Sequence, residues 1–315
     1  MKYLLLIPTL FFLACSIPSN DKQVLLSSVD STNDNTQSRK ILNSKWYEGK
    51  AEINVYDLQQ NRYNNTHDGE AVMIFVTEDF LSDKQVKNDN YTQKNSVPIL
   101  KNNQIRRFTT GLYDYSIFTS VFTKSESLDD LSTMKITTSS QDWCGQSYVQ
   151  LNEASGYYRV RGFSYFENEG DTDEKIRKHI TMDEIYNLIR IDDTQLPIGD
   201  FKIIPSTIFH RLKHKSLKPY AAKGIKIPYE GALTQQIATT YIIKIPELSL
   251  EYEYTYVNND LRNILQWKES YPSAFDGKVR ETTATLKHSE WSDYWSKNNK
   301  EERVLRAEYM IDGGF

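Results

Sequence analysis

Two cysteines in 315 residues leave this chain almost no covalent help in folding, and the position of the first removes even that. Cys15 closes the apolar run Leu4–Ala14, behind Met1-Lys2, in the tetrapeptide Leu-Ala-Cys-Ser at 13 to 16. That is the n-region, h-region and small-residue cut site of a bacterial lipoprotein leader. The run is about half the roughly 20 residues that a membrane span requires. Cleavage before Cys15 and acylation of its thiol leave Cys144 as the sole free thiol, so no internal disulfide can form and packing alone must stabilise the fold.

The material for that packing is aromatic. Twenty-one Tyr and thirteen Phe fit strands better than helices. Residues 1–14 read as the signal peptide, and 15–44, rich in Ser, Asn, Asp and Thr, as a disordered tether. Removing 1–14 takes away only Lys2, so 37 basic residues remain against 42 acidic ones, a net charge of −5. This is not the basic footprint of a nucleic-acid binder.

The body reads as mainly β: antiparallel, curved or packed sheets with two or three short helices. Residues 45–166 form an N-terminal β-rich region, 167–199 a helical bridge, and 200–315 a C-terminal β-rich region with a closing helix. Ala51, Ile53 and Val55 alternate with Glu52, Asn54 and Tyr56, which predicts one core face and one wetter face. Ala71–Thr77 reads as a central strand covered on both faces. From Tyr113 to Phe122 both strand faces carry apolar residues. Thr181 and Glu184 form a capping box opening a helix that runs to about Arg190. Asn298 with Glu301 repeats the signal near the end, with Val304, Leu305 and Tyr309 on the inner face. Strands resume over Asp200–Ser206, Thr239–Ile245, Leu248–Val257 and Lys278–Lys287.

The phrases Trp46-Tyr-Glu-Gly-Lys-Ala-Glu-Ile-Asn54, Val76-Thr-Glu-Asp-Phe80, Thr137-Thr-Ser-Ser-Gln-Asp-Trp-Cys-Gly-Gln146 and Ser270-Tyr-Pro-Ser-Ala-Phe-Asp-Gly-Lys278 resemble a family of uncharacterised Bacteroidota lipoproteins. The resemblance covers most of residues 45–305. Members often carry the label "septum formation inhibitor Maf", which implies a nucleoside triphosphate pyrophosphatase. Maf pyrophosphatases have an N-terminal strand followed by a Ser-Pro-Arg-Arg phosphate-binding turn, and this chain has no such turn. At the level of fold, the chain is also similar to the curved half-barrels of lipoprotein carriers, which hold acyl chains in an apolar concavity.

Several groups are candidates for chemistry. Cys144 reads as a buried free cysteine under Trp143, or as a nucleophile if one of His67, His179, His210, His214 or His288 reaches it. The basic segment His210–Lys218 reads as a solvated strand and loop, so the i, i+4 pair His210 and His214 does not make a metal site. Glu78 and Asp79 at a strand end, and Glu167, Glu169, Asp171 and Asp173 in a loop, are carboxylates from which a glycosidase would need one opposed pair, which spacing does not select; the loop lacks the EF-hand order for Ca²⁺ and reads as solvated. Trp267, Tyr271, Phe275, Trp291, Tyr294 and Trp295 are the candidate ligand-binding aromatics.

The resulting expectation is a non-enzymatic cell-envelope lipoprotein. It is anchored to the outer membrane by acyl chains on Cys15, faces the periplasm, and binds a hydrophobic ligand or an envelope protein partner. No cofactor, metal or nucleic acid is implied. The alternative is a hydrolase, either Maf-like or a carboxylate-based glycosidase.

Overall fold

The computed structural model describes residues 41–91, 95–167 and 169–311. Cys15, the leader and the tether through residue 40 lie outside the described residues. Leu42, still inside the stretch read as tether, packs into the core at 5% exposure. The folded body therefore begins ahead of Trp46.

Sixteen strands follow: β1 (Ala51–Arg62), β2 (Asn65–Leu81), β3 (Val86–Lys87), β4 (Ser96–Thr110), β5 (Tyr113–Lys124), β6 (Thr133–Asp142), β7 (Gly145–Ala154), β8 (Tyr157–Ser164), β9 (Thr172–Arg177), β10 (Ile180–Thr181), β11 (Gly199–Ile204), β12 (Tyr220–Pro228), β13 (Ala238–Ile245), β14 (Leu250–Val257), β15 (Ile264–Pro272) and β16 (Val279–Ser292). Among the described residues three α-helices join them: α1 (Ile185–Asp192), α2 (Thr207–Lys213) and α3 (Leu305–Glu308). All the strands lie in a single sheet of order β10-β11-β12-β13-β14-β15-β16-β1-β2-β4-β5-β6-β7-β8-β9, with β3 paired to β2. Every pairing is antiparallel except β10 with β11. The N-terminal and C-terminal strands are thus not two sheets; β1 joins them, Ala51 lying opposite Ser292.

The sheet is bent back on itself. Its two extremes, β9 and β10, are separated by only Lys178 and His179, which at 3.8 Å per Cα step is a gap of at most about 11 Å. The enclosed space is filled by α1 and α2, whose Tyr186, Leu188, Ile189, Ile208, Phe209 and Leu212 join inner-face residues of both halves of the sheet in one core.

The interior is more polar than the apolar pattern suggests. On β1 the side chains expected on the wetter face point inward: Glu52 and Asn54 are 0% and 1% exposed. Glu52 pairs with Arg190 of α1 and accepts from Asn263 Nδ2 at 2.7 Å. The opposite face of β1 is also covered, because Ile53 and Val55 pack with Val72 beneath Tyr294, Tyr309 and Ile311 of the C-terminal segment. A second internal pair joins Arg106 Nη2 to Glu269 Oε1 at 2.5 Å, with the Arg106 guanidinium 4.2 Å from the centroid of Trp267.

The reciprocal bonds expected of the capping box form, Thr181 N donating to Glu184 Oε1 at 2.7 Å and Glu184 N to Thr181 Oγ1 at 3.3 Å, but they close the turn ahead of α1, which starts at Ile185 with Glu184 as its cap residue. The C-terminal one is displaced by a residue, Asn299 pairing with Glu302, and Val304 there is 66% exposed instead of inward. On β5 the face carrying Tyr115, Ile117 and Val121 is buried, but Phe118 on the other is 38% exposed, so the second face is not a core face.

The largest correction is α2. His210 and Arg211 lie on a helix, not on a strand. Ser206 caps it by accepting from Phe209 N at 3.0 Å, Ile208, Phe209 and Leu212 bury its inner face, and His214 closes it in the left-handed conformation, φ 53°.

Candidate functional site

In a meander, connections alternate between two ends. The β15–β16, β1–β2, β4–β5, β6–β7 and β8–β9 connections therefore share one end, as does the C-terminus of α2, which follows β11.

That helix end ties the connections together. Arg62, at the β1–β2 turn, donates from Nη1 to Leu212 O at 2.7 Å. Lys213 Nζ donates to Pro272 O at 2.5 Å, at the β15–β16 turn. Arg211 lies 3.7 Å from Asp142 of the β6–β7 turn and 3.3 Å from Glu169 of the β8–β9 loop. His214 Nδ1 is 2.6 Å from the same Glu169 oxygen. Cations at a helix C-terminus are favoured because its unsatisfied carbonyls carry partial negative charge.

Beside this hub, between α2 and the inner face of β6–β9, is a cleft of about 250 Å³. Val149, Val160 and Leu217 form its apolar side. Glu169, Glu174, His210, Arg211, His214 and Lys215 supply charge, and Thr138, Ser147, Ser164, Thr172 and Ser216 supply hydroxyls. Burial works to raise the Glu169 carboxyl, but the hydrogen bond from Ser164 and the neighbouring Arg211 and His214 outweigh it and hold it below the usual carboxylate range. Ser164 Oγ donates to Glu169 at 2.6 Å. Arg211 is 5% exposed and its Nε has no hydrogen-bond partner. Gly162 leaves room at the floor, since a Cβ there would stand 2.6 Å from Thr172 Oγ1.

The six candidate aromatics do not line one groove. Trp267 and Tyr271 are core residues, 0% and 3% exposed. Trp291 packs edge-on against Trp46, ring centroids 4.8 Å apart. Tyr294 covers the outside of β1 and β2. Phe275 is 65% exposed, edge-on to Tyr63 at 5.3 Å. Trp295 lines a second, outer cleft of about 370 Å³ with Tyr47, Tyr91, Glu78 and Asp79.

Glu78 and Asp79 are neighbours on β2, so their side chains leave opposite faces of the sheet and do not confront each other. Glu78 is held by Lys101 Nζ at 2.7 Å. Asp173 is bound by both arms of Arg159, at 2.8 and 2.5 Å, whereas Glu167 and Asp171 are exposed. Cys144 is not buried under Trp143. Both are exposed on the β6–β7 turn, where Asp142 Oδ1 accepts from Cys144 N at 2.7 Å and leaves the pair outside the sheet. His67 meets Arg62 O at 3.2 Å and His288 stacks on Tyr309. Among the described residues no three His, Cys, Asp or Glu groups are placed to hold a metal ion.

Sequence reasoning misses Arg62 and Ser164, and takes Arg211 only as one charge of the basic segment His210–Lys218. The signal for α2 was present: Ser206 after Pro205, followed by apolar residues at 208, 209 and 212. Comparison with protein-family models, curated proteins and solved structures returned no match.

Proposed function

We propose that the protein is a non-enzymatic, lipid-anchored envelope protein that binds the zwitterionic head of an envelope amphiphile, of the phosphoethanolamine type, in the cleft beside α2. The observation that carries this reading is the charge balance of the lining, where Arg211 and Lys215 share the space with Glu169, Glu174 and two histidines. A phosphate meets the cations, an ammonium meets Glu174, the carboxylate not engaged by Ser164, Arg211 and His214, and an apolar wall of Val149, Val160 and Leu217 takes the first methylenes. The size agrees: about 250 Å³ is below the range of pockets for drug-sized ligands, and the curled interior is already filled by side chains.

The hydroxyl set against a carboxylate in the cleft, Ser164 on Glu169 at 2.6 Å, faces a base that is already engaged by Arg211 and His214. Glu169 is committed to three partners and Cys144 does not line the space. The strand-to-helix connections β10–α1 and β11–α2 carry Met182-Asp-Glu184 and Pro205-Ser206 and not the Ser-Pro-Arg-Arg turn of the pyrophosphatases.

The test is a titration of the full chain with glycerophosphoethanolamine, in parallel with glycerophosphate and with a nucleoside triphosphate. The reading expects saturable binding of the first, weaker binding of the second and no turnover of the third. Arg211→Gln should abolish the binding. Equal affinity for both glycerol phosphates, or hydrolysis of the triphosphate, would contradict it.

A further inference from the structure

Turn tips are normally the province of Gly, Pro, Asn, Asp and Ser. At the α2 end of this sheet, five connections consecutive in the sheet each carry a large apolar or aromatic residue: Phe275, Tyr63, Leu112, Trp143 and Tyr165. Four of them are well exposed, Leu112 at 82%, Tyr165 at 76%, Trp143 at 67% and Phe275 at 65%. At the other end Tyr47, Val86, Tyr91, Leu128, Ile198, Ile237 and Trp295 are also exposed, but the connections Ser155-Gly156 and Asn258-Asn259-Asp260 break them into separate groups.

We infer that this rim of hairpin tips is a docking surface for a lipid bilayer, with the cleft opening toward the membrane. Adjacent hairpins of one sheet stand two strand spacings apart, roughly 9.5 Å. A flat, laterally continuous partner meets all five tips where a peptide would follow one groove. Trp and Tyr are the residues that settle at headgroup level, with an apolar ring and a polar edge. Charge agrees. Lys215 and Lys278 are exposed at this end, while Asp276, Glu247 and Glu169 are matched by Arg280 at 2.6 Å, Lys218 at 3.5 Å and His214 at 2.6 Å. Glu167 and Asp171 are the acidic side chains exposed on the β8–β9 loop, at one flank of the row. The tips also hold one another: the hydroxyls of Tyr63 and Tyr113 are 2.5 Å apart and those of Tyr63 and Tyr115 2.8 Å, and residues 211–214 bind three further connections.

The inference rests on the proposed lipid anchor and headgroup cleft for its setting, and one experiment separates them. Full chain is reconstituted into vesicles of phosphatidylglycerol alone, and a fluorophore is placed on Cys144, the thiol beside Trp143. A second sample carries it at Ser155→Cys in a Cys144→Ser background. Quenching by headgroup nitroxide lipids is read together with flotation. Docking predicts several-fold stronger quenching at Cys144 than at position 155. Trp143→Ser with Tyr165→Ser and Phe275→Ser should erase the difference while the protein still floats. Flotation with equal quenching at both sites overturns the docking surface alone; absence of flotation overturns it together with the anchor. Because these vesicles contain no phosphoethanolamine, failure of the headgroup reading leaves the quenching result standing.

Discussion

Asp183, in the turn entering α1, accepts two hydrogen bonds from Thr207, the first residue of α2: from the backbone N at 2.9 Å and from Oγ1 at 3.2 Å. The two internal helices are locked together by a carboxylate that burial pushes up to about 7, against the hydrogen bonds from Thr207. Burial likewise pushes Glu184 up to about 7, against hydrogen bonds from Thr133 and Thr181.

Stability should therefore fall with rising pH across an acidic to neutral window. In the unfolded chain both carboxyls ionise near pH 4. Between there and about pH 7 the folded state retains protons that the unfolded state has released, so the contribution is fully present below about pH 4 and is lost as pH rises through 7. Urea unfolding at intervals from pH 4.5 to 8 should show a decline of a few kcal/mol. The decline should flatten in the Asp183→Asn, Glu184→Gln double variant. An unchanged slope would refute the assignment.

Arg106→Met alone should cost about 3 to 5 kcal/mol, because Glu269 would be left as an uncompensated buried charge. Adding Glu269→Leu should recover most of that loss, since a buried ion pair is often replaceable by apolar residues of similar volume. Denaturant midpoints of the two variants read this directly; a double variant as unstable as the single one would be the contrary result.

Gly69 on β2 has no room for a side chain. A Cβ there would sit 2.3 Å from Arg107 O on β4, and backbone cannot swing aside as a side-chain end can. Gly69→Ala should lower the melting temperature by several degrees, corresponding to about 1 to 3 kcal/mol. Gly156→Ala would meet no atom within 4 Å, but its φ of +89° strains it, so it is no neutral control. Lys84→Ala, on an exposed turn, is the fair comparison.

Cys144 should react with a thiol reagent in the native state as fast as it does in urea, because its turn lies outside the sheet. Slow native labelling that accelerates on unfolding would mean that the β6–β7 turn is covered.

The sequence made β2 and the start of α1 legible because each follows a local rule. Ala71–Thr77 is apolar but for its last residue, and the reciprocal Thr181–Glu184 bonds need no tertiary help. β4 was not legible for a reason visible in the core. Its inward residues Asn102, Gln104 and Arg106 are polar yet buried at 0%, 2% and 2%; Gln104 donates to Asp183 O and Arg106 pairs with Glu269. A period-2 apolar pattern cannot show itself on a strand whose core face holds an ion pair. β15 is obscured in the same way by Glu269. The cleft was only half legible. His210 and His214 stood out as a basic run, but pairing Glu169 with His214 requires the β8–β9 loop and the end of α2 to meet across the curl, which no local spacing encodes.

The most direct test of the cleft is hydrogen exchange of the full chain with and without glycerophosphoethanolamine. Protection confined to residues 145–149, 160–164 and 210–217 is the predicted result. Unchanged exchange there, or protection around Tyr47 and Trp295 at the outer cleft instead, would contradict it.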